Sequence, residues 1–168
     1  MSQRIINIFL FLLLITFPFY LAYQLYYLDK VAFFCPIEYR QGTIMIRHDS
    51  YGSGDFLAER SGSRKHNGID LWASMFTPVY AVRGGKVIAA KFHKGLGNYV
   101  ELLHPGGYVT IYGHLSRLGV RENQIVRQAE IIGEVGKSGN AGYRGVIPHL
   151  HFEIWLKGAL LNPMEFLE

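Results

Sequence analysis

Three histidines and one aspartate in this chain stand at spacings suited to metal chemistry, and a fourth, lone histidine could assist them. The run Pro148-His149-Leu150-His151-Phe152-Glu153-Ile154-Trp155 alternates polar and apolar residues from His149 to Leu156. A period of two predicts a half-buried β-strand. His149, His151, Glu153 and Trp155 fall on one open face, and Leu150, Phe152, Ile154 and Leu156 on the core face. Two adjacent imidazoles make a poor core and a good metal site, because neutral imidazole is a common metal ligand. Upstream, His66-Asn67-Gly68-Ile69-Asp70 sets a His and an Asp four apart, an offset that shares one face of a strand or of a helix. Alone, each spacing is unremarkable. Together they offer two histidines and an aspartate: His66, Asp70 and one member of the His149/His151 pair. Catalytic zinc takes three protein ligands of this kind and keeps a fourth position for water. The other member of the pair, and His114 in Tyr112-Gly113-His114-Leu115, remain to move a proton or to stabilise an oxyanion. His48, His93 and His104 have no acidic or histidine neighbour at ligand spacing, so they read as ordinary surface or turn residues.

The elements that must position these residues read as strands and turns. Residues 78–82, 86–92, 98–104, 108–112 and 131–135 carry strand patterns, and Pro105-Gly106-Gly107 is a hairpin signal. Residues 46–65, rich in Gly, Ser, Arg and Asp, read as loop. No long amphipathic helix follows residue 28. Nineteen glycines against six prolines suit a turn-rich β fold. A faint echo aligns residues 82–89 with 126–133, which fits a β-sandwich of two similar halves. The 168 residues allow one domain with a core plus an appendage. A net charge of +4 suits an anionic polymer or membrane surface but is too small to argue for nucleic acid. The single cysteine, Cys35, excludes an intrachain disulfide and a cysteine-based zinc knuckle.

From Ile5 to Ala22 the chain carries no charge, and the apolar character continues to Leu28. That length can cross a bilayer core of roughly 30 Å. Arg4 and the free amine precede it, which favours an N-inside orientation. A cleaved signal peptide is the rival reading. However, Ala22 would need a small residue where Tyr20 stands, and Phe33 and Phe34 spoil a lipoprotein signal before Cys35. The expectation is an uncleaved single-pass anchor.

Six ordered motifs give residues 62–163 a specific resemblance to the lysostaphin/LytM-type zinc metallopeptidases, family M23. They are Arg64-Lys65-His66-Asn67-Gly68-Ile69-Asp70-Leu71, the run from Thr77 to Val87, Gly97-Asn98-Tyr99-Val100, Tyr112-Gly113-His114-Leu115, Gly133-Glu134-Val135-Gly136 and Pro148-His149-Leu150-His151-Phe152-Glu153. The resemblance implies a compact antiparallel β-sandwich with an open groove, here all-β and preceded by one transmembrane helix. It implies zinc held by His66, Asp70 and His151, with His114 and His149 as the catalytic histidines. It implies hydrolysis of peptide bonds in peptidoglycan cross-links or stem peptides. The anchor then places the protein in the bacterial inner membrane, with its catalytic domain in the periplasm or otherwise outside the cytoplasm. The expected organisation is an anchor over residues 1–28, a linker and lead-in loop over 29–61, and the metallopeptidase domain over 62–168. Residues 140–148 are longer than the usual family link and should form a groove rim. The stretch from Asp49 to Phe56, with Arg60, resembles the lead-in loop of some members only.

Two other readings compete. One is a binding module of the same fold that recognises the cell wall or activates another hydrolase without cutting. The full set of five site residues argues against it. The other is a carrier or phosphotransfer domain, whose hairpins Gly84-Gly85-Lys86-Val87 resembles. Such a domain needs neither Asp70 beside His66 nor a leading membrane span.

Overall fold

The computed structural model describes residues 2–27, 33–39 and 43–167. Helix α1, Gln3–Tyr27, runs without a break through Pro18. A helix satisfies its own backbone hydrogen bonds, which suits an uncharged apolar run. Its large side chains are exposed along its length, among them Phe9, Phe11, Leu14 and Phe19. The stretch Gln3–Leu21 is long and apolar enough to cross a membrane. Met1–Val31 and Ala32–Glu168 form separate compact units.

The second unit is built of strands. Two small hairpins come first: β1 (His48–Asp49) with β2 (Gly52–Ser53), and β3 (Glu59–Arg60) with β4 (Arg64–Lys65). Next come β5 (Ile69–Trp72), β6 (Pro78–Tyr80), β7 (Gly85–His93), β8 (Gly97–Leu103) and β9 (Tyr108–Leu115). The remainder are β10 (Arg117–Leu118), β11 (Ile125–Val126), β12 (Ile131–Glu134), β13 (His149–Leu156) and β14 (Ala159–Leu161). One large antiparallel sheet runs β11-β7-β8-β9-β13-β14, with β5 also pairing β13. A smaller sheet runs β10-β12-β6. Both sheets feed one core: Val79 and Ile132 from the smaller, Leu102, Tyr112, Leu150 and Phe152 from the larger, all fully buried. Each such side chain contributes about 1.5–3 kcal/mol of transfer free energy. The second unit is therefore the all-β sandwich expected, and an apolar helix precedes it in the sequence.

Strand β13 spans the residues whose alternation predicts it, with Leu150, Phe152 and Ile154 in the core. Its other face is not open. His149, His151 and Glu153 are 2%, 6% and 6% exposed. Strands β5 and β9 flank β13, and the chain from Arg47 to Ala58 hydrogen-bonds along His66–Asp70 and covers that side. Residues 46–65 are thus not plain loop. Ile46 bridges to Leu71, and Phe33 and Ile37 also join the core. Strand β9 extends three residues beyond the expected end, to Leu115. His104 is no surface turn residue either. It is 3% exposed and bonds Gly84 O at 3.0 Å and Thr110 Oγ1 at 2.7 Å.

Candidate metal centre and active site

Antiparallel pairing of β13 with β5 sets His151 directly opposite Asp70, and pairing with β9 sets it opposite Gly113. His66 reaches the same place from the turn before β5. That turn needs Gly68, because a Cβ there would stand 2.2 Å from Phe152 O. The result is a triangle of buried atoms. His66 Nε2 and His151 Nδ1 are 3.0 Å apart, and each lies close to Asp70 Oδ1, at 3.0 Å and 2.9 Å.

Hydrogen bonds outside the triangle fix which ring nitrogens face it. His66 Nδ1 donates to Asp55 O at 2.8 Å, so Nε2 is the nitrogen that faces inward. His151 Nε2 donates to Glu153 Oε1 at 2.8 Å, which turns Nδ1 inward. Trp155 Nε1 holds the other Glu153 oxygen at 2.7 Å. Burial would lower the pKa of His151, but its hydrogen bonds to Asp70 and Glu153 prevail and push it up to about 9. Burial would raise the pKa of Asp70, but the contacts with His151 and His66 hold it well below the usual carboxylate range. When the inward nitrogens of His66 and His151 are unprotonated, three lone-pair atoms converge at edges near 3 Å, a spacing that a single cation can share. One proton cannot bridge all three edges. One cation at ~2.0–2.1 Å from each can, and two imidazoles with a carboxylate are a donor set that suits zinc. The residues present therefore fit a metal ion; His66, Asp70 and His151 are buried and mutually within ligand range.

His114 and His149 stand beside the triangle. Their ring centroids are 4.9 Å apart, the His114 ring is 5.7 Å from that of His151, and His149 Nε2 is 3.9 Å from Asp70 Oδ1. His114 Nδ1 donates to Ser138 O at 2.9 Å and His149 Nδ1 to Ile147 O at 2.6 Å. Both rings thereby keep Nε2 free to accept a proton. Burial, then the neighbouring His151 and His149, push the pKa of His114 down to about 3; burial also lowers that of His149. His114 owes its place to a bulge. Asn98 pairs with Leu115 but Val100 pairs with Tyr112, so Gly113 and His114 together oppose Tyr99. At φ 61° His114 sits in the left-handed region, a strain of about 1–3 kcal/mol that re-aims the side chain out of strict alternation.

The outer side of Asp70 holds residues that spacing did not reveal. Arg47 NH2 lies 2.8 Å from Asp70 Oδ2, and Arg60 NH2 lies 3.5 Å from it. Arg47 NH1 lies 2.6 Å from Asp49 Oδ2. Arg47 and Asp49 stand two apart, a strand-face offset, but within a stretch whose composition reads as loop. Glu153 stands two residues past His151 on the same face; that offset was the available signal for its contact with the ring. His93 lies outside the cluster and accepts from Gly95 N and Leu96 N.

The profile of peptidase family M23 matches residues 64–163. Peptidoglycan DD-endopeptidase ShyA of Vibrio cholerae is 39% identical over 100 residues, which are 60% of this chain and 22% of that protein. This chain thus spans about a quarter or less of the length of such curated relatives. Among solved structures, a zinc-containing peptidase from Vibrio cholerae superposes with a TM-score of 0.61 at 29% identity, over 79% of this chain and 39% of that one. The catalytic domain of the antimicrobial peptidase lysostaphin from Staphylococcus simulans superposes with a TM-score of 0.58 at 30% identity, over 71% of this chain and 90% of that one. The family match covers more than half of the chain and the superposed structures share its fold, and this chain belongs to peptidase family M23.

Proposed function

We propose that this chain is a zinc-dependent endopeptidase that hydrolyses peptide bonds in peptidoglycan cross-links or stem peptides, held at the inner membrane by α1 with its catalytic domain outside the cytoplasm. The observation that carries this reading is the buried triangle of His66 Nε2, Asp70 Oδ1 and His151 Nδ1 with two further imidazoles beside it. The peptidoglycan endopeptidases among its relatives support the substrate class. The working partition is an anchor over 1–28, a linker and lead-in loop over 29–61, and a catalytic domain over 62–168.

His66, Asp70 and His151 would hold the ion, which when bound supplies Lewis acidity toward water and a carbonyl oxygen. His149 and His114 do the proton work. Each ring is anchored through Nδ1–H to a backbone carbonyl, so each presents Nε2 as acceptor. Depressed pKa values leave both rings unprotonated at neutral pH, so each offers Nε2 as an acceptor, and a Lewis acid held at the triangle would make the attacking water acidic enough to give up its proton to so weak a base. A ring charged in this way stands ready to return the proton to the leaving amine. Burial excludes bulk water and strengthens each of these contacts.

The test is mass spectrometry of fragments released from defined peptidoglycan by the zinc-loaded protein. New peptide termini within cross-links or stems are expected. Binding of peptidoglycan with no cleaved bond moves the protein to the non-cleaving class.

A further inference from the structure

We propose that Arg47 and Asp49 are positioning residues that couple the metal-ligand carboxylate of Asp70 to the imidazole of His149 through one continuous chain of contacts. The proposal rests on the site roles given above. Asp70 turns Oδ1 to the histidine cluster and Oδ2 to Arg47 NH2 at 2.8 Å. The same guanidinium reaches Asp49 Oδ2 at 2.6 Å. Asp49 Oδ2 accepts from Ile147 N at 3.1 Å, and Ile147 O accepts from His149 Nδ1 at 2.6 Å. The side chains of Arg47 and Asp49 are only 6% and 5% exposed, so water screens their ion pair weakly.

Backbone bonds hold its frame. Arg47 N donates to Asp70 O, Asp70 N donates to Gly54 O, and Gly54 N donates to Arg47 O, each at 2.8 Å. No side chain can be added at Gly54, where a Cβ would stand 2.7 Å from Arg47 O and 2.8 Å from the Asp70 Cβ. Arg47 serves two carboxylates from two nitrogens of a rigid planar fork, NH1 to Asp49 and NH2 to Asp70, a fixed geometry that the single flexible ammonium of lysine does not reproduce. Asp49 also ties in the groove rim: Ile147 lies in it, and Tyr51 OH donates to Arg144 O at 2.6 Å from the same lead-in hairpin. The rim, the imidazole and the ion site are therefore set together.

The experiment uses the full chain in detergent micelles, with Asp49→Ala, Arg47→Lys and the double variant. Three quantities are read: the zinc dissociation constant, the nitrogen and proton shifts of His149 Nδ1–H, and kcat and KM on a cross-linked peptide. Asp49 touches neither a metal ligand side chain nor His149. Asp49→Ala is nonetheless expected to shift the His149 signal and to lower kcat about tenfold with KM nearly unchanged, the mark of lost transition-state positioning. Arg47→Lys is expected to shift the same signal and to weaken zinc about tenfold, the scale of a lost outer-shell partner. The double variant should be no worse than the worse single one, because coupled residues are not additive. An unmoved His149 signal in Asp49→Ala, or additive losses, overturns the relay. Should Asp49→Ala fail to fold, Asp49→Asn keeps an acceptor for Ile147 N while losing the ion pair, and its His149 signal decides in the same way. A wild-type protein that cleaves nothing sinks the peptidase reading alone, since the zinc and His149 readouts still test the relay.

Discussion

Glu153 Oε1 lies 2.8 Å from His151 Nε2, and this contact decides which nitrogen of His151 faces Asp70. Trp155 holds the carboxylate from its other side. Glu153→Ala releases the ring and lets it change tautomer or rotate. Zinc affinity should fall about 10–100-fold, the usual cost of losing such a partner. Competition with a chromogenic chelator measures it, and an unchanged constant shows that the ring needs no carboxylate.

His66→Ala, Asp70→Ala and His151→Ala should each lower zinc content and abolish cleavage, and a strong chelator should do the same to the wild type. Each substitution removes one of three atoms that lie within about 3 Å of each other in the triangle. His48→Ala, His93→Ala and His104→Ala should retain the metal. His104→Ala should instead lose about 1–3 kcal/mol of stability in urea, because Gly84 O and Thr110 Oγ1 lose a buried partner. Metal loss in His104→Ala equal to that in His66→Ala would show the ligand set to be wrong.

His114→Ala and His149→Ala should keep zinc near one per chain and slow cleavage by about 10²-fold or more. Zinc and peptide-bond cleavage are measured on the same preparations. Full zinc with full activity removes both residues from the chemistry.

Gly68→Ala should destabilise the fold by about 1–3 kcal/mol or more, since its Cβ would meet the backbone oxygen of Phe152 at 2.2 Å and neither strand can yield freely. Thermal unfolding followed by circular dichroism reads the loss. A variant as stable as the wild type would mean that β5 and β13 separate at little cost.

The native chain should fractionate with membranes and resist extraction by high salt, as expected for an apolar span of 19 residues, Gln3–Leu21, whose one charged residue, Arg4, lies at its start. Sequencing of the mature N-terminus provides the opposing outcome. A start near Tyr23 identifies the segment as a cleaved signal.

Local pattern made the strands legible, and non-local pairing hid much of the rest. The alternation from His149 to Leu156 marks β13 because side-chain direction repeats every two residues. Nothing in that run states that β5 lies alongside with Asp70 opposite His151, since register is set by the partner strand. His114 was visible by residue type, but its aim depends on a bulge and a left-handed backbone that no motif spells out. Arg47 drew no notice and Asp49 was marked only as the start of a lead-in loop, because charged residues among glycines and serines resemble solvated loop. Their burial depends on the chain folding back over β5. The polar face of β13 read as open for the same reason, and His104 as a turn residue because its partners sit on distant turns and strands.

Phe33 bridges in parallel to Leu167, and its ring packs edge-on against Phe166 and Tyr108. The first and last core residues of the sandwich therefore share one seam. Trimming either side of that seam is the same lesion, since each exposes the partner's apolar surface. A soluble version cut at the motif boundary near residue 62 would discard Phe33 and Ile37 from the core and fold poorly for reasons unrelated to the metal. The same closeness suits circular permutation. A short Gly/Ser bridge from Leu167 to Phe33, with new ends opened at the exposed Arg121–Glu122 turn, would preserve every strand pairing.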